Sequence, residues 1–510
     1  RGWGGFVLSA GGVAYFREAS AEELRSAAQP MPGSSLCFAR APSEAQGAAI
    51  GQCTPTSGRD GDGGGVGGGR GGGPLRVAVL ATQDEFDETL YSDPAVEVTS
   101  AGNGRKFAVH AMLRCLAAAP RVELVAVLVL DFKCDGELLP ARPLPQEGPE
   151  RLEVRIERGP SLVAWRGDLF QLLVAAAGEL SVDIAIATAP RHDLLSLMHG
   201  AVHAGRHVVM GHDYNLPYGP WGASDMSSER HKEHCSLLDR TMVLCTSCHL
   251  AQYLQTWSSG SVDARACFCA DYGYFDEEEA RPCSQGGDRV TFISPCPAKG
   301  LSIFLRLAKT LPEVQFLAVS TVWTRTLHEA QLRELPNVEL MRGSADIDSI
   351  YRRTAMLVVP SLWSEAFGLV AVEAQLRGIP VVSTDAYGLR EANFVPELRV
   401  PDVQLVQDMR IRTLHRGRTI DQLERELPLA RAEPGGSAEE RDRRAMKVHF
   451  YVATPAEASG FVARVRELWH DAARRAALGA EAAAGAKAFV ASRRGEFLRT
   501  LWELAGKMWR

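Results

Sequence analysis

The sequence predicts an α/β protein made of two doubly wound, mostly parallel sheets. Two observations carry this. Apolar runs of strand length alternate with segments of helical apolar spacing, a pattern that implies βαβ units and parallel pairing. The alternation runs twice, once from Leu75 and again from Val290, and 510 residues suffice for two sizeable α/β domains with extensions.

The elements follow in order. Residues 1–73 are set apart as a disordered, low-complexity extension. Its glycine tract, Gly58 to Gly73, holds too little apolar surface to order itself. A first Rossmann-like domain is expected over 74–285. Its strands are Leu75 to Ala81, Val122 to Asp131, Val182 to Thr188, His207 to Met210 and Thr241 to Cys245. Its helices are Phe107 to Ala118, Leu169 to Leu180, Leu194 to Ala204 and Ser247 to Trp257. A second domain is expected over 286–490. Its strands are Val290 to Ser294, Val314 to Val319, Val338 to Leu340, a run ending at Pro360-Ser361, and Ile379 to Ser383. Its helices are Leu301 to Leu311, Thr324 to Leu335, Ile347 to Arg353 and Ala366 to Arg377. Residues 403–450 read as a charged insertion, and Pro455 to Trp509 as two or three terminal helices.

Composition narrows the function. Hydrophobic residues make up 46% and charged residues 23%, as in ordinary globular enzymes. A net charge of −6 carries no nucleic-acid footprint. No apolar run reaches the roughly 18 to 20 residues of a membrane helix. The 11 cysteines lack a disulfide-like spacing, and Asn103, Asn215, Asn337 and Asn393 open no glycosylation sequon. A reducing compartment, the cytoplasm, is expected. The chain begins at Arg1 rather than Met, which leaves an organellar address open.

The most informative stretch is Val358 to Asn393. Glu365 is expected on the loop at the C-terminal end of a strand, and Glu373 about two turns into the next helix. The backbone N–H groups of Phe367, Gly368 and Leu369 open that helix, where orphan donors and the dipole attract a phosphate. Elsewhere, an apolar strand delivers His212 and Asp213 to its C-terminal end, where ligands bind in open α/β sheets. Lys299 precedes a helix and suits a diphosphate as a point charge. Gly102 and Gly104 offer close backbone approach to a diphosphate or acceptor, and Arg105 and Lys106 follow them. The aromatic loop Tyr214 to Trp221 reads either as an acceptor-stacking surface or as a rigid loop.

The string Pro360, Ser361, Glu365, Phe367, Gly368, Leu369, Glu373, Ala374 resembles the donor-binding signature of retaining GT-B glycosyltransferases, above all glycosyltransferase family four, the glycosyl transferases group 1. The resemblance covers roughly Leu75 to Glu397. It implies a GT-B fold, two Rossmann-like domains facing a central cleft, with a terminal helix over 491–510 crossing back to the first. It implies a hexosyltransferase that moves a sugar from a nucleotide-diphosphate sugar, such as a UDP- or GDP-sugar, to a carbohydrate or glycoconjugate, with no metal and no other cofactor. His212 and Glu365 would then contact the donor sugar, Glu373 the ribose, and Lys299 the diphosphate, beside the Gly368-Leu369 amides. The family usually reads G-R-x(4)-K-G, but Ser294 stands where its phosphate-binding Arg is found. Asp385 to Glu391 matches the loop that reads G-G-x-x-E, with Tyr387 in place of the first glycine and Gly388 as the second. The alternatives are a catalytically weak or inactive binding protein of the same shape and a GT-B nucleotide-sugar epimerase. A third is a zinc-stabilised scaffold using His231, His234, Cys235, Cys245, Cys248, His249, Cys267 and Cys269.

Overall fold

The computed structural model describes residues 6–9, 12–15, 73–82, 104–130, 150–155, 161–167, 172, 180–214, 216–219, 228–268, 287–321, 323–344, 346–401, 403 and 453–507. In the N-terminal extension, β1 (Phe6–Ser9) and β2 (Gly12–Tyr15) pair antiparallel.

The first sheet contains β3 (Leu75–Thr82), β4 (Val122–Leu130), β5 (Glu150–Arg155), β6 (Ser161–Gly167), β7 (Ser181–Ala187), β8 (His203–Gly211), β9 (Met242–Cys245) and β10 (Ala264–Ala266). They run in the order β10-β9-β8-β7-β3-β4-β6-β5. Its helices are α1 (Gly104–Ala118), α2 (His192–Ala201), α3 (Ser228–Leu238) and α4 (Cys248–Trp257). Alternation in β3 explains why the sheet is covered on both sides. Val77, Val79 and Ala81 pack into the cluster that holds Met112 and Leu116 of α1. Ala78 and Leu80 pack into the one that holds Leu194 and Leu250. The sequence pattern places no strand at β5, β6 or β10, and at the edge β5 departs from parallel pairing by running antiparallel to β6. Five residues separate the two strands, too few for a parallel crossover.

The second sheet contains β11 (Arg289–Ile293), β12 (Phe316–Ser320), β13 (Val338–Arg342), β14 (Thr354–Val359), β15 (Val381–Thr384) and β16 (Arg399–Val400). All its pairs are parallel, in the order β13-β12-β11-β14-β15-β16. This is the doubly wound order, whose direction of progression reverses between β11 and β14. The helices are α5 (Leu301–Thr310), α6 (Thr326–Arg333), α7 (Ile347–Tyr351), α8 (Leu369–Leu376) and α9 (Tyr387–Ala392). β14 reads TAMLVV and is buried throughout, because helices cover both of its faces. The expected helix over Ala366 to Arg377 begins three residues later, since Gly368 at φ 116° cannot lie inside a right-handed helix.

Three terminal helices follow, α10 (Ser459–His470), α11 (Ala472–Arg493) and α12 (Glu496–Leu504). α10 and α11 pack on the second sheet through Phe461, Val465, Ala482 and Ala486. Phe497, Leu501 and Trp502 of α12 are buried with Val77 and Met112 against the first sheet. Most of the expected 403–450 insertion and of the helix over Leu169 to Leu180 lies outside the described residues. Among the described residues no helix is long and apolar enough to cross a membrane.

Burial leaves a pH signature. His199, His234 and His249 are each pushed down to about 4, mainly by removal from water. The folded pKa lies below the unfolded value, so the unfolded chain takes up more protons on acidification. Stability is therefore complete above about pH 6.5 and declines from there towards pH 4. His234 Nε2 donates to Pro190 O at 2.8 Å. The urea midpoint should fall between pH 7 and pH 5, and His234→Gln, which keeps a donor to that carbonyl, should flatten the fall. A midpoint independent of pH in that window would remove the histidines from the account.

Candidate functional site

Three loops meet at the C-terminal rim of the second sheet. They follow β11 (294–300), β14 (360–368) and β15 (385–388), strands adjacent in the sheet. The first two lie at the topological switch point, where an open α/β sheet forms its crevice.

Backbone contacts lock the loops together. Leu362 N–H donates to Ala298 O at 2.9 Å, and Gly388 N–H to Glu365 O at 3.0 Å. Gly300 sits at φ 89°, and a Cβ there would lie 1.9 Å from Pro360 O. A Cβ on Gly388 would lie 2.3 Å from Ala366 O. Both glycines are required by close approach of chain to chain.

This frame presents Lys299 to Glu365. Lys299 Nζ donates to Glu365 Oε1 at 2.6 Å, and Ser361 Oγ donates to the same oxygen at 2.6 Å. Burial pushes the Glu365 carboxyl up, but the Lys299 charge and the two hydrogen bonds prevail and hold it below the usual carboxylate range. The Lys299 ammonium also lies 5.2 Å from the centre of the Trp363 ring.

The other expected residues fall around this pair. Glu373 is buried in α8, and its Oε2 accepts from Tyr351 OH at 2.7 Å. Gly368 is the left-handed N-cap of α8, and Leu369 is that helix's first residue. The Phe367 ring is buried between Phe268 and Phe489, so only its backbone is available to a ligand. Ser294 has φ 64°, and its hydroxyl is engaged with Thr321 Oγ1 at 2.8 Å. Gly104 opens α1, and Gly102 lies outside the described residues.

His212 directly follows β8 and is half-buried. Two residues on, Tyr214 OH accepts from Ser364 Oγ at 2.5 Å. That bond joins the loop of His212 to the loop of Glu365. Sequence reasoning missed it, because nothing local marks either hydroxyl. For Tyr214 it supports the rigid-loop option, while Trp221 lies outside the described residues. Tyr214 is buried against Tyr253, and Tyr218 donates to Asp239 at 2.8 Å. The Tyr214 ring belongs to the core of the first sheet, and the Tyr218 ring is partly buried against it.

A second link was also missed. The Cys248 and His249 N–H groups, at the start of α4, donate to Glu391 Oε2 and Oε1 at 2.9 and 2.7 Å. The Tyr387 ring lies 4.9 Å from His249. The zinc candidates are not gathered at one place among the described residues, and Cys269 lies outside them. Cys245 and Cys267 pack into clusters on opposite faces of the first sheet. Among the described residues no three His, Cys, Asp or Glu side chains are grouped to hold a metal.

Comparison with known proteins agrees with this geometry. Residues 287–411 match the family model described as Glycosyl transferases group 1. The group 1 segment spans the whole second sheet, β11 to β16. A D-inositol 3-phosphate glycosyltransferase from Mycobacterium sp. (strain KMS) is 35% identical over 103 residues, 18% of this chain and 23% of that one. An uncharacterized 42.6 kDa protein in the cps region of Klebsiella pneumoniae is 28% identical over 111 residues, 22% of this chain and 28% of that one. The chain thus spans about a quarter of the length of the curated relatives it matches. Among solved structures, the sucrose-phosphate synthase of Thermosynechococcus elongatus aligns with a TM-score of 0.54 at 15% identity, covering 84% of this chain and 99% of that one. Anabaena Alr3699/HepE in complex with UDP aligns with a TM-score of 0.51 at 15% identity, covering 84% and 100%. The architecture around the group 1 segment is accordingly the two-domain GT-B fold.

The interlock gives a direct test. Gly300→Ala should cost about 3 kcal/mol or more, because the new methyl meets a fixed carbonyl. Gly260 also has positive φ, at 80°, but a Cβ there meets nothing within 4 Å. Gly260→Ala should cost only about 1 to 2 kcal/mol, the left-handed penalty alone. Equal losses in urea titrations would mean that the loop contact is soft.

Proposed function

We propose that this protein is a retaining glycosyltransferase that moves a hexose from a nucleotide-diphosphate sugar to a hydroxyl of a carbohydrate or glycoconjugate. The observation that carries the reading is the pairing of Lys299 with Glu365 at the switch point of the group 1 segment. Resemblance and geometry converge on these residues.

In this reading the donor diphosphate enters between Lys299 and the start of α8. It draws the ammonium away from Glu365, and the α8 amides add fixed donors. The bond from the anomeric carbon to the diphosphate oxygen breaks, and Lys299 takes up the growing charge on the leaving group. The acceptor oxygen bonds to the same face of that carbon, and its proton passes to the departing diphosphate oxygen on that face. Glu365, freed of Lys299, accepts from donor sugar hydroxyls, and Glu373 accepts from the ribose. His212 supplies a polar group to the sugar from the first sheet's rim. The nucleotide-sugar is a co-substrate, and no metal or further cofactor is assigned. The Anabaena neighbour's complexes with UDP and with UDP-glucose make UDP-sugars the first donors to try.

Ser294 supports a second reading, a glycosyltransferase-like binding protein, since its hydroxyl is already engaged and no Arg stands in its place. A panel of UDP- and GDP-sugars in thermal-shift and donor-hydrolysis assays separates the two. A donor at about 100 times its Kd should stabilise the chain by about 2.7 kcal/mol. Glu373→Ala should abolish that shift, and Lys299→Ala should slow turnover by about a hundredfold or more. Stabilisation without turnover would favour the binding protein, and no stabilisation by any donor would reject both.

A further inference from the structure

Glu391 is on α9, the short helix that follows the 385–388 loop, yet its carboxylate is spent on the other sheet. The N-cap of α4 is Ser247, whose side chain accepts from Leu250 N–H at 3.0 Å. That serves one of the orphan donors of the helix start. The Cys248 and His249 N–H groups are served by Glu391 instead, one by each carboxylate oxygen. The cap of α4 is thus shared between a neighbour and a residue 142 positions away.

The same short helix is fastened to the candidate site. Gly388 N–H donates to the Glu365 carbonyl, and the Leu389 side chain lies where a Cβ on Gly368 would be. Tyr387 holds the left-handed conformation at φ 51°, which side-chain-bearing residues adopt at a cost, with its ring against His249. α4 itself starts just beyond β9, the strand beside β8 whose end carries His212. A carboxylate between two N–H groups at a helix start is a charge-assisted, directional link.

We propose that Glu391 is a positioning residue of the sugar-transfer site. By ligating the start of α4 it seats the 385–388 loop, and with it the backbone behind Glu365, against the first sheet. Its consequence for catalysis rests on the glycosyltransferase reading; the mechanical link does not.

The test uses the full chain with Glu391→Ala, Glu391→Gln and Ser247→Ala. Ser247→Ala removes the other half of the α4 cap and leaves the link to α9 intact, so it reports what loss of capping alone does. In hydrogen exchange read by mass spectrometry, Glu391→Ala should quicken exchange about tenfold at 248–250 and also at 385–389. Ser247→Ala should act on the start of α4 and leave 385–389 unchanged. With a nucleotide-sugar donor, Glu391→Ala should raise KM about tenfold while kcat moves less than about threefold. Should Glu391→Ala fail to fold, Glu391→Gln, which keeps one acceptor oxygen, should show the same pattern at smaller size. Unchanged exchange at 385–389, or the same KM change from Ser247→Ala, would overturn the proposal. A wild-type chain that turns over no donor would reject the proposed function, and the exchange pattern would still decide whether Glu391 seats the loop.

Discussion

The Lys299–Glu365 ion pair sits where the doubly wound sheet changes direction, and the surrounding loops are built to keep it there. Taking both charges from water is costly, and only good geometry with further hydrogen bonds offsets that cost. Ser361 supplies one such bond, and the lock of Gly300 on Pro360 fixes the loop that carries the lysine. A buried pair of this kind is a poor source of stability. Its effect is to hold two charged groups at a fixed place on the rim, with Ser361 as a second donor to the carboxylate.

Two links run from this pair to the first sheet. One is Ser364 to Tyr214, beside Glu365 and His212 respectively. The other is Glu391 to the start of α4. Each ties a loop at the rim of one sheet to an element at the rim of the other. The terminal helices add apolar ties, with α11 packed on the second sheet and α12 on the first. The rim loops are thereby positioned by two packed sheets rather than by their own stiffness.

Much of this was legible in the chain. Fully buried parallel strands read as unbroken apolar runs, as in Met356 to Val359, and the helices between them show their apolar spacing. Glu365, Gly368 and Glu373 announced themselves because they stand within nine residues of one another, at the end of one strand and the start of the next helix. The misses have a common cause. β5 pairs by its edge hydrogen bonds, which composition does not encode. Tyr214 looked available for stacking because an aromatic in a loop reads the same whether it faces a cleft or a core. Cys245 and Cys267 looked like partners because sequence separation does not reveal that adjacent strands can face them to opposite sides.

The sequence by itself determined the two-sheet class, most of the buried strands between Leu75 and Thr384, and the signature-like string around Glu365 and Glu373. Each of these is written in local periodicity or in a short spacing. Only the tertiary structure decided that Lys299 spends its charge on Glu365, that Ser294 is held by Thr321, and that Glu391 caps a helix of the other sheet. Those pairings join residues from 27 to 143 positions apart. A side chain's polar partner is set by where packing delivers its neighbours, and no run of adjacent residues records that.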